Sequence, residues 1–442
     1  MRARVDDNHT GGTPSRGPAA RLLSILGDVR RGEAGTTGLL ALNIFLLLFA
    51  YYLLKVTREP LILRYGADFK TYASSFQALT LMPALIGFAW VSQRVPRVKL
   101  VGITTLVISL ALLLFYALVR AHVRIAGPAF YVFVGVMNAF VVSQFWAFAN
   151  DLFSEDQGLR LFGIIGVGSS VGALLGPLAA KSFFNAEDPG FLMLPAACLI
   201  ALAFVVTLVA HKRAGAVHIS EGPVTEEPLA KERFFGLGRI LNSRYFLTIA
   251  ILVLVYNTVN TLGENIKDRT LLAANHGGNQ DAYVAAFSSN FFLYVNATAL
   301  VLQLFFVSRF LRVLKVHRAL YVMPLISLVS YASMGLSVIL PVVLWAKVAE
   351  NAADYSIQST TRQALFLVTE RSAKYKVKAA IDTFFMRLGD VFAAALLFVT
   401  TTYMHFDRTG LVIMNLVLVG LWLFLARRIG RDYQTMSHPT QP

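Results

Sequence analysis

The chain has 442 residues, of which 56% are hydrophobic and only 15% are charged, and its mean hydropathy is +0.61. A soluble protein of this size needs far more polar surface, so the composition excludes that class and indicates a polytopic α-helical membrane protein. The single cysteine, Cys198, excludes a disulfide framework or a thiolate metal site, and we expect no metal or other cofactor.

The net charge of +15 raises the question of a nucleic-acid partner. The basic residues concentrate in alternate polar segments, which is typical of membrane topology rather than of nucleic-acid binding. We therefore expect a lipid bilayer and no nucleic acid among the partners, and both termini in the cytoplasm. Attraction of lipid headgroups or of an anionic solute is the alternative explanation of the basic charge.

Twelve apolar segments are long enough to cross a membrane. In chain order they fall at 37–62, 73–92, 100–120, 127–150, 161–183, 190–210, 245–263, 283–308, 318–340, 341–366, 379–402 and 409–426. The division near Pro341 joins two spans with hardly any loop. The segments predict a multi-pass membrane protein. We also expect it to be monomeric and to lie in a bacterial inner membrane.

The longest polar stretch divides the twelve spans into six and six, and it is rich in charge, Pro and Gly, as a linker should be. Upstream of the first span, Arg21 to Glu33 is typical of an amphipathic helix lying on the membrane surface. The predicted parts are a cytoplasmic tail at 1–34, an N-terminal half at 35–211, a cytoplasmic linker at 212–243, a C-terminal half at 244–430 and a second tail at 431–442.

The two halves resemble each other in sequence. VSQRVPRVK at 91–99, after span 2, corresponds to VSRFLRVLK at 307–315, after span 8. VTRE at 56–59, near the outer end of span 1, corresponds to NIKD at 265–268, near the outer end of span 7. Such a repeat predicts an all-α fold of two pseudo-symmetric six-helix bundles, the major facilitator plan, with substrate held between the halves near mid-membrane.

Charged residues in the first and seventh spans are candidates for substrate binding, because charge in the bilayer is costly and marks a partner or a site. Lys55 and Arg58 predict a cationic clamp for an anionic substrate, restrained by Glu59. The alternative is that these long basic side chains reach the headgroups. The matching Glu264 and Lys267 favour the clamp.

Spans 10 and 11 carry a second charged group. Lys347, Glu350 and Asp354 follow one another on one helical face, and Asp390 falls in the next span. They form either a self-neutralising network or a relay for protons or charge. Arg387 is a candidate partner for the excess acid.

For two polar features at the cytoplasmic side, the sequence supports a structural role as well as a functional one. Asn150, at the end of span 4, is a candidate substrate ligand, although helix packing explains it at least as well. Lys376 and Lys378, in the loop before span 11, either attract polyanions or mark the cytoplasmic side.

Glycines at 168, 172 and 176 are spaced for close helix packing, since no phosphate-loop context surrounds them. The chain also contains no HExxH, GxSxG, Cys/His cluster or kinase-like signature. We therefore expect no enzyme activity.

Three blocks resemble the bacterial and plastid nucleotide transporters, the ATP/ADP-translocase branch related to the major facilitator superfamily. They are YYLLKVTREPLIL at 51–63, FWAFANDLFSEDQGLRLFGIIGVGSSVGALLG at 145–176 and DYSIQSTTRQALFLVTERSAKYKVKAAIDTFFMRLGD at 354–390. The resemblance covers almost all of residues 20–430. For nucleotide handling it implies three pairs of residues: Arg58 with Glu59, Glu264 with Lys267, and Lys376 with Lys378. In span 1 the chain reads Thr57-Arg58-Glu59-Pro60, where the family has an acid after a Thr-Lys pair, so no particular nucleotide is implied.

The sequence thus predicts an alternating-access transporter that exchanges a nucleotide or related phosphorylated anion, with ATP and ADP as candidates. Lys55, Arg58, Lys267 and Arg387 are the expected phosphate ligands. In the empty state we expect those cations to pair with carboxylates, which substrate then displaces. The expected carboxylates are Glu264 and Asp382.

Two alternatives remain open from the sequence. The first is a proton-coupled carrier of another organic anion or a drug, with Glu350, Asp354 or Asp382 as the proton carrier. The second is a membrane scaffold or sensor that keeps the fold without transport.

Overall fold

The computed structural model describes residues 29–30, 32–215, 237–369 and 377–437, and every regular element within them is helical. Most of the predicted amphipathic entry helix and most of the predicted linker lie outside the described residues. Lys376 also lies outside them.

The first half contains six long helices whose starts are set by local chemistry. Gly66, with a φ of 93°, precedes the second helix, Pro96 precedes the third, and Ser154 caps the fifth through a reciprocal bond pair with Gln157. The helices are α1 (Glu33–Leu63), α2 (Ala67–Ser92), α3 (Arg97–Arg120), α4 (Ala126–Leu152), α5 (Glu155–Phe183) and α6 (Met193–Gly215).

The second half follows a short helix at Leu237–Asn242. Ser243 and Asn279 cap its first two long helices by accepting a backbone N–H, as short polar residues commonly do at helix starts. The helices are α7 (Arg244–Ala273), α8 (Gln280–Phe306), α9 (Val322–Leu336), α10 (Leu340–Ala353), α11 (Val377–Thr402) and α12 (Arg408–Ser437).

Ten helices of the described chain are long and apolar enough to cross a membrane, and a bent pair gives an eleventh. In that pair, Arg312–Ala319 meets α9 at 70°. The remaining predicted span, the tenth at 341–366, corresponds to α10 and its continuation to Ala364. This helical path contains four charged residues. The arrangement is consistent with the predicted twelve-helix, two-bundle fold.

Three π-helical turns interrupt helices of the second half. They lie at Leu302–Phe306 in α8, at Asp354–Gln358 after α10, and at Ile381–Phe385 in α11. Such wide turns shift the helical register. Asp354 is the first residue of the second of these turns, so the shift affects the residues that follow it, and its grouping with Lys347 and Glu350 remains a prediction.

Within the first half, α1 lies at the centre and packs closely on α5. A Cβ placed on Gly172 would lie 2.6 Å from the Phe45 carbonyl oxygen, and one on Gly176 would lie 2.6 Å from the Tyr52 Cβ atom. Only glycine permits this approach. The predicted packing face on α5 is confirmed.

The two halves meet through α1 and α5 against α8, and through α2 against α7 and α11. Polar contacts between the halves gather at the end of the bundle where α1 ends and α2 begins. Here Arg269 donates to Asp68 at 2.6 Å, and Arg64 pairs with Asp281. We call this group the clasp and this end the clasp end. The clasp consists of Arg64, Asp68, Lys70, Asp268, Arg269 and Asp281.

Candidate functional site

A cavity of about 280 Å³ lies between the two halves, directly beneath the clasp. This volume approaches the lower end of the range for small-molecule sites. Its lining comes from α1, α2 and α4 of the first half and from α7, α8, α10 and α11 of the second, with Tyr355 of the π-turn. Four basic and four acidic side chains face it: Lys55, Arg58, Lys70, Arg387, Glu59, Glu264, Asp268 and Asp390.

Lys55 differs from the other cavity cations in its surroundings. Its ammonium lies over three aromatic rings, at 4.2 Å from the Phe292 centroid, 5.2 Å from Tyr52 and 5.8 Å from Tyr51. Among the residues that the structure describes, it has no carboxylate partner. Aromatic faces stabilise a cation without neutralising it. Lys55 therefore presents to the cavity an amine that no carboxylate of the described residues neutralises.

Lys70 joins the two halves at the roof of the cavity. Its ammonium donates to Glu59 at 2.5 Å and to Asp268 at 2.8 Å, and all three side chains are buried. Glu59 and Asp268 are the corresponding acids of the internal repeat. One lysine thus bridges symmetry-related carboxylates of opposite halves.

Arg58 lies beside this bridge. Its guanidinium is 3.4 Å from Glu59 and lies over the Tyr131 ring, with 4.4 Å to the centroid. Glu59 consequently has two cationic neighbours, Arg58 and Lys70. The sequence prediction that Glu59 restrains Arg58 agrees with this geometry.

A chain of alternating charges continues from the clasp into the second half. Glu264 accepts from Lys267 at 2.6 Å and lies 3.3 Å from Lys347. Lys267 also lies 3.3 Å from Asp268. Glu264 lines the cavity, whereas Lys267 is 4% exposed and lies behind the wall. The expectation that Lys267 contacts substrate directly does not fit this arrangement.

Lys347 and Glu350 form a deeply buried ion pair, 2.6 Å apart. Tyr331 donates to Glu350 at 2.7 Å and Ser327 donates at 2.9 Å. Every charge of the pair therefore has hydrogen-bond partners, which buried ions require. Through Lys347, which lies 3.3 Å from Glu264, the pair helps to hold the Glu264 carboxylate in place.

Asp390 closes the cavity on the side of α11. Asn257 and Thr261 each donate to its carboxylate at 2.8 Å, and Arg387 donates at 3.2 Å. Ser75 of α2 donates to the Asp390 backbone carbonyl at 2.7 Å, across the boundary between the halves. Asp390 therefore helps to hold α2, α7 and α11 together.

Several predicted site residues do not line this cavity. Asn150 is exposed near the end of α4 far from the clasp, and Lys378 lies at the start of α11, at the same end. Asp382 pairs with Arg362 at 3.7 Å, rather than with the predicted clamp cations. Their roles in substrate handling remain predictions.

Lys70 is the main residue that the sequence analysis missed. The predicted span 2 began at residue 73, which left Lys70 in a loop, but α2 begins at Ala67. Gly66 followed by an uninterrupted helical pattern was the available signal. The cavity amides Gln77 and Asn260 carried no pattern in the sequence.

Within the described ranges, no group of three or more His, Cys, Asp or Glu residues could hold a metal ion. The arrangement offers instead one unneutralised ammonium, several ion pairs that an anion could open, and amides for hydrogen bonding. These groups can bind and release a solute. They do not form a nucleophile with its base.

The fold and the cavity between its halves define the chain as a multi-pass membrane transporter rather than an enzyme. The Major Facilitator Superfamily profile matches residues 36–361. The chain belongs to this superfamily. No curated protein matches the sequence.

Solved structures share the fold at low sequence identity. A POT family transporter in complex with 5-aminolevulinic acid is 16% identical, with a TM-score of 0.64 over 91% of this chain and 96% of that one. A bacterial homologue of the human lysosomal transporter Spinster is 14% identical, with a TM-score of 0.63 over 94% and 100%. The nucleoside transporter NupG is 12% identical, with a TM-score of 0.62 over 90% and 100%.

Proposed function

We propose that the chain carries an organic anion across the membrane by alternating access and binds it in the cavity beneath the clasp. The observation that carries this proposal is Lys55, whose ammonium faces the cavity with aromatic rings around it and no carboxylate partner among the described residues. An unneutralised cation in an otherwise paired site is the natural ligand of a single negative group.

The finer proposal is a nucleotide or related phosphorylated anion, the class implied by the resemblance in the three sequence blocks. Beyond Lys55, further negative charge has to compete with Glu59 for Arg58 and with Asp390 for Arg387. Substrate binding then replaces existing ion pairs. The carboxylates to be displaced are then Glu59 and Asp390 rather than the expected Glu264 and Asp382. Displacement of existing ion pairs favours exchange of one anion for another.

The way in which the halves meet supports alternating access. The clasp closes one end above the cavity, so solute exchange at that end requires Lys70 to leave Asp268 and Arg269 to leave Asp68. The Lys and Arg distribution assigns the clasp end to the outside and both termini to the cytoplasm. The structure then represents the state closed to the outside, in a protein of the bacterial inner membrane.

The solved structures of similar fold do not identify the substrate of this chain. Their names mention 5-aminolevulinic acid for one and nucleosides for another. A proton-coupled carrier is the second candidate, and Asp390 favours it, because this carboxylate lines the cavity and bonds residues of α7 and α11. Proton exchange there would alter contacts between α7 and α11, beside the Ser75 contact that crosses between the halves.

The test is uptake into liposomes that contain the purified protein. Labelled ATP, ADP and AMP are supplied with and without internal nucleotide, and with and without an imposed proton gradient. Uptake that needs internal nucleotide supports the exchanger. Uptake that needs only the proton gradient supports the second candidate. If neither nucleotides nor a panel of smaller organic anions enter the vesicles, the transport proposal fails in favour of a scaffold or sensor.

A further inference from the structure

A second charged surface lies at the end of the bundle opposite the clasp, outside the transport cavity. The helical segment Val307–Ala319 follows the π-turn of α8, and its last part meets α9 at 70°. The end of α12 packs against it, since a Cβ on Gly430 would lie 3.2 Å from the His317 carbonyl oxygen. Two basic segments are thereby placed side by side.

This surface is strongly cationic, and we call it the basic end patch. Neither Val307–Ala319 nor Arg427–Arg431 contains an acidic residue. The patch residues are exposed and make no ion pair with any other residue in the described ranges. They are Arg312, Lys315, Arg318, Arg427, Arg428 and Arg431.

The corresponding stretch of the first half is different. There Arg94 stacks on Trp90, with 3.8 Å from the guanidinium carbon to the ring centroid. Arg97 pairs with Asp151 at 2.9 Å. A basic residue that only marks topology needs no particular neighbourhood. Topology marking is therefore compatible with cations that lack partners, and the case for a binding site rests on the clustering of six of them beside exposed apolar side chains.

Exposed apolar side chains adjoin the patch. Val313 is 77% exposed between the basic residues, and Phe305 and Phe306 of the preceding π-turn are more than half exposed. A ligand that covers both surfaces needs an anionic head and an apolar tail. Phospholipids of the surrounding bilayer have this chemistry, and the helix ends place the patch at headgroup level.

We propose that the basic end patch is a binding site for anionic phospholipid, with the headgroup phosphate held by the arginines and the acyl chains against Val313 and Phe305. The site is independent of the transport cavity, because none of its residues lines that cavity. Bound lipid links the segment after α8 to the end of α12.

The test uses the full-length protein in nanodiscs made from equal amounts of phosphatidylglycerol and phosphatidylcholine. After gentle extraction, mass spectrometry counts the lipids that stay bound. The variant is Arg318→Gln with Arg428→Gln, and the control is Arg120→Gln with Arg124→Gln, two exposed arginines at the clasp end. Thermal midpoints of both variants are compared with that of the wild type to exclude misfolding.

We expect phosphatidylglycerol to be enriched on the wild type and on the control. Each arginine lost from the patch should lower that enrichment about fivefold, and high salt should lower it as well. If the wild type retained the two lipids in the same ratio as they have in the nanodisc bilayer, the proposal would be overturned. Equal enrichment on the patch variant and the control would overturn it too.

Discussion

Lys347 is a buried charged residue that lies close to the cavity wall. It is fully buried, with its ammonium 2.6 Å from Glu350 and 3.1 Å from the Asn260 side-chain oxygen. Burial of such a pair is costly, but removal of one partner costs more, because the other charge is then left uncompensated. The pair is best understood as the support that holds Glu264 at the cavity wall.

We predict that Lys347→Met destabilises the protein by about 3 kcal/mol. The double variant Lys347→Met with Glu350→Gln should be more stable than the single variant, because no unpaired charge remains. Thermal unfolding of the purified variants in detergent measures both effects. A single variant with wild-type stability, or a double variant less stable than the single, would contradict this account of the pair.

At this scale the sequence identified much of the candidate site. Lys55, Arg58, Glu59 and Glu264 were predicted from charge within apolar segments, and all four line the cavity. Lys70 was missed because its role depends on a neighbour 198 positions away in the chain, Asp268. Which of the interior charges pair is decided by helix rotation, and hydropathy carries no information about rotation.

Among the helices, the contact between α1 and α5 shows most clearly how the sequence determines packing. The glycine stripe of α5 lets the backbones approach until the Phe45 carbonyl oxygen nearly touches Gly172. Other glycines of the same helix, Gly163 and Gly166, have open space around them. The helix thus contains its own control positions.

We expect Gly172→Val to separate α1 from α5 and to lower both the thermal midpoint and the yield of folded protein, since close packing cannot be restored around a branched side chain. Gly163→Ala should leave the midpoint unchanged or raise it slightly, because alanine favours the helix. The two variants are compared by unfolding in the same detergent. Similar midpoints for both would argue against the packing face.

Helix ends and interruptions were predicted less well than the helices themselves. The twelve-segment pattern followed from hydrophobic length, but the start of α2 lay six residues earlier than predicted. The π-turns at 302–306, 354–358 and 381–385 were not predicted. A π-turn adds one residue to a turn without changing hydrophobicity, so composition does not reveal it.

At the scale of the whole molecule, the clasp allows two states, one with the clasp end closed and one with it open. Lys70 can stay with Glu59 in its own half, and Asp268 can stay with Lys267 at 3.3 Å, when the halves separate. Neither carboxylate is then left unpaired. The Lys70 bridge can therefore open at a modest electrostatic cost, while the Arg64–Asp281 and Arg269–Asp68 pairs have to break when the halves part.

We predict that locking the clasp stops transport. In a Cys198→Ser background, Asp68→Cys and Arg269→Cys are joined by a reducible thiol cross-linker. Uptake should be lost and should return on reduction, because the clasp end can no longer open.

The matched control is Arg97→Cys with Asp151→Cys, an ion-paired set at 2.9 Å within the first half. This pair should tolerate the same cross-link, since rigid-body motion of the halves does not separate it. Normal uptake by the cross-linked clasp would show that this end does not open during transport.

The central claim is that the cavity beneath the clasp binds the transported anion. Its most direct test uses the anion that the liposome experiment identifies, and measures the uptake of that anion by the variants Lys55→Met, Lys55→Arg and Lys99→Met. Lys99 is exposed and far from the cavity. Loss of a charged hydrogen-bond donor should raise the KM of Lys55→Met at least about tenfold, with partial recovery in Lys55→Arg and no change in Lys99→Met. Wild-type KM and maximal rate in Lys55→Met would contradict the assignment of this cavity as the anion site.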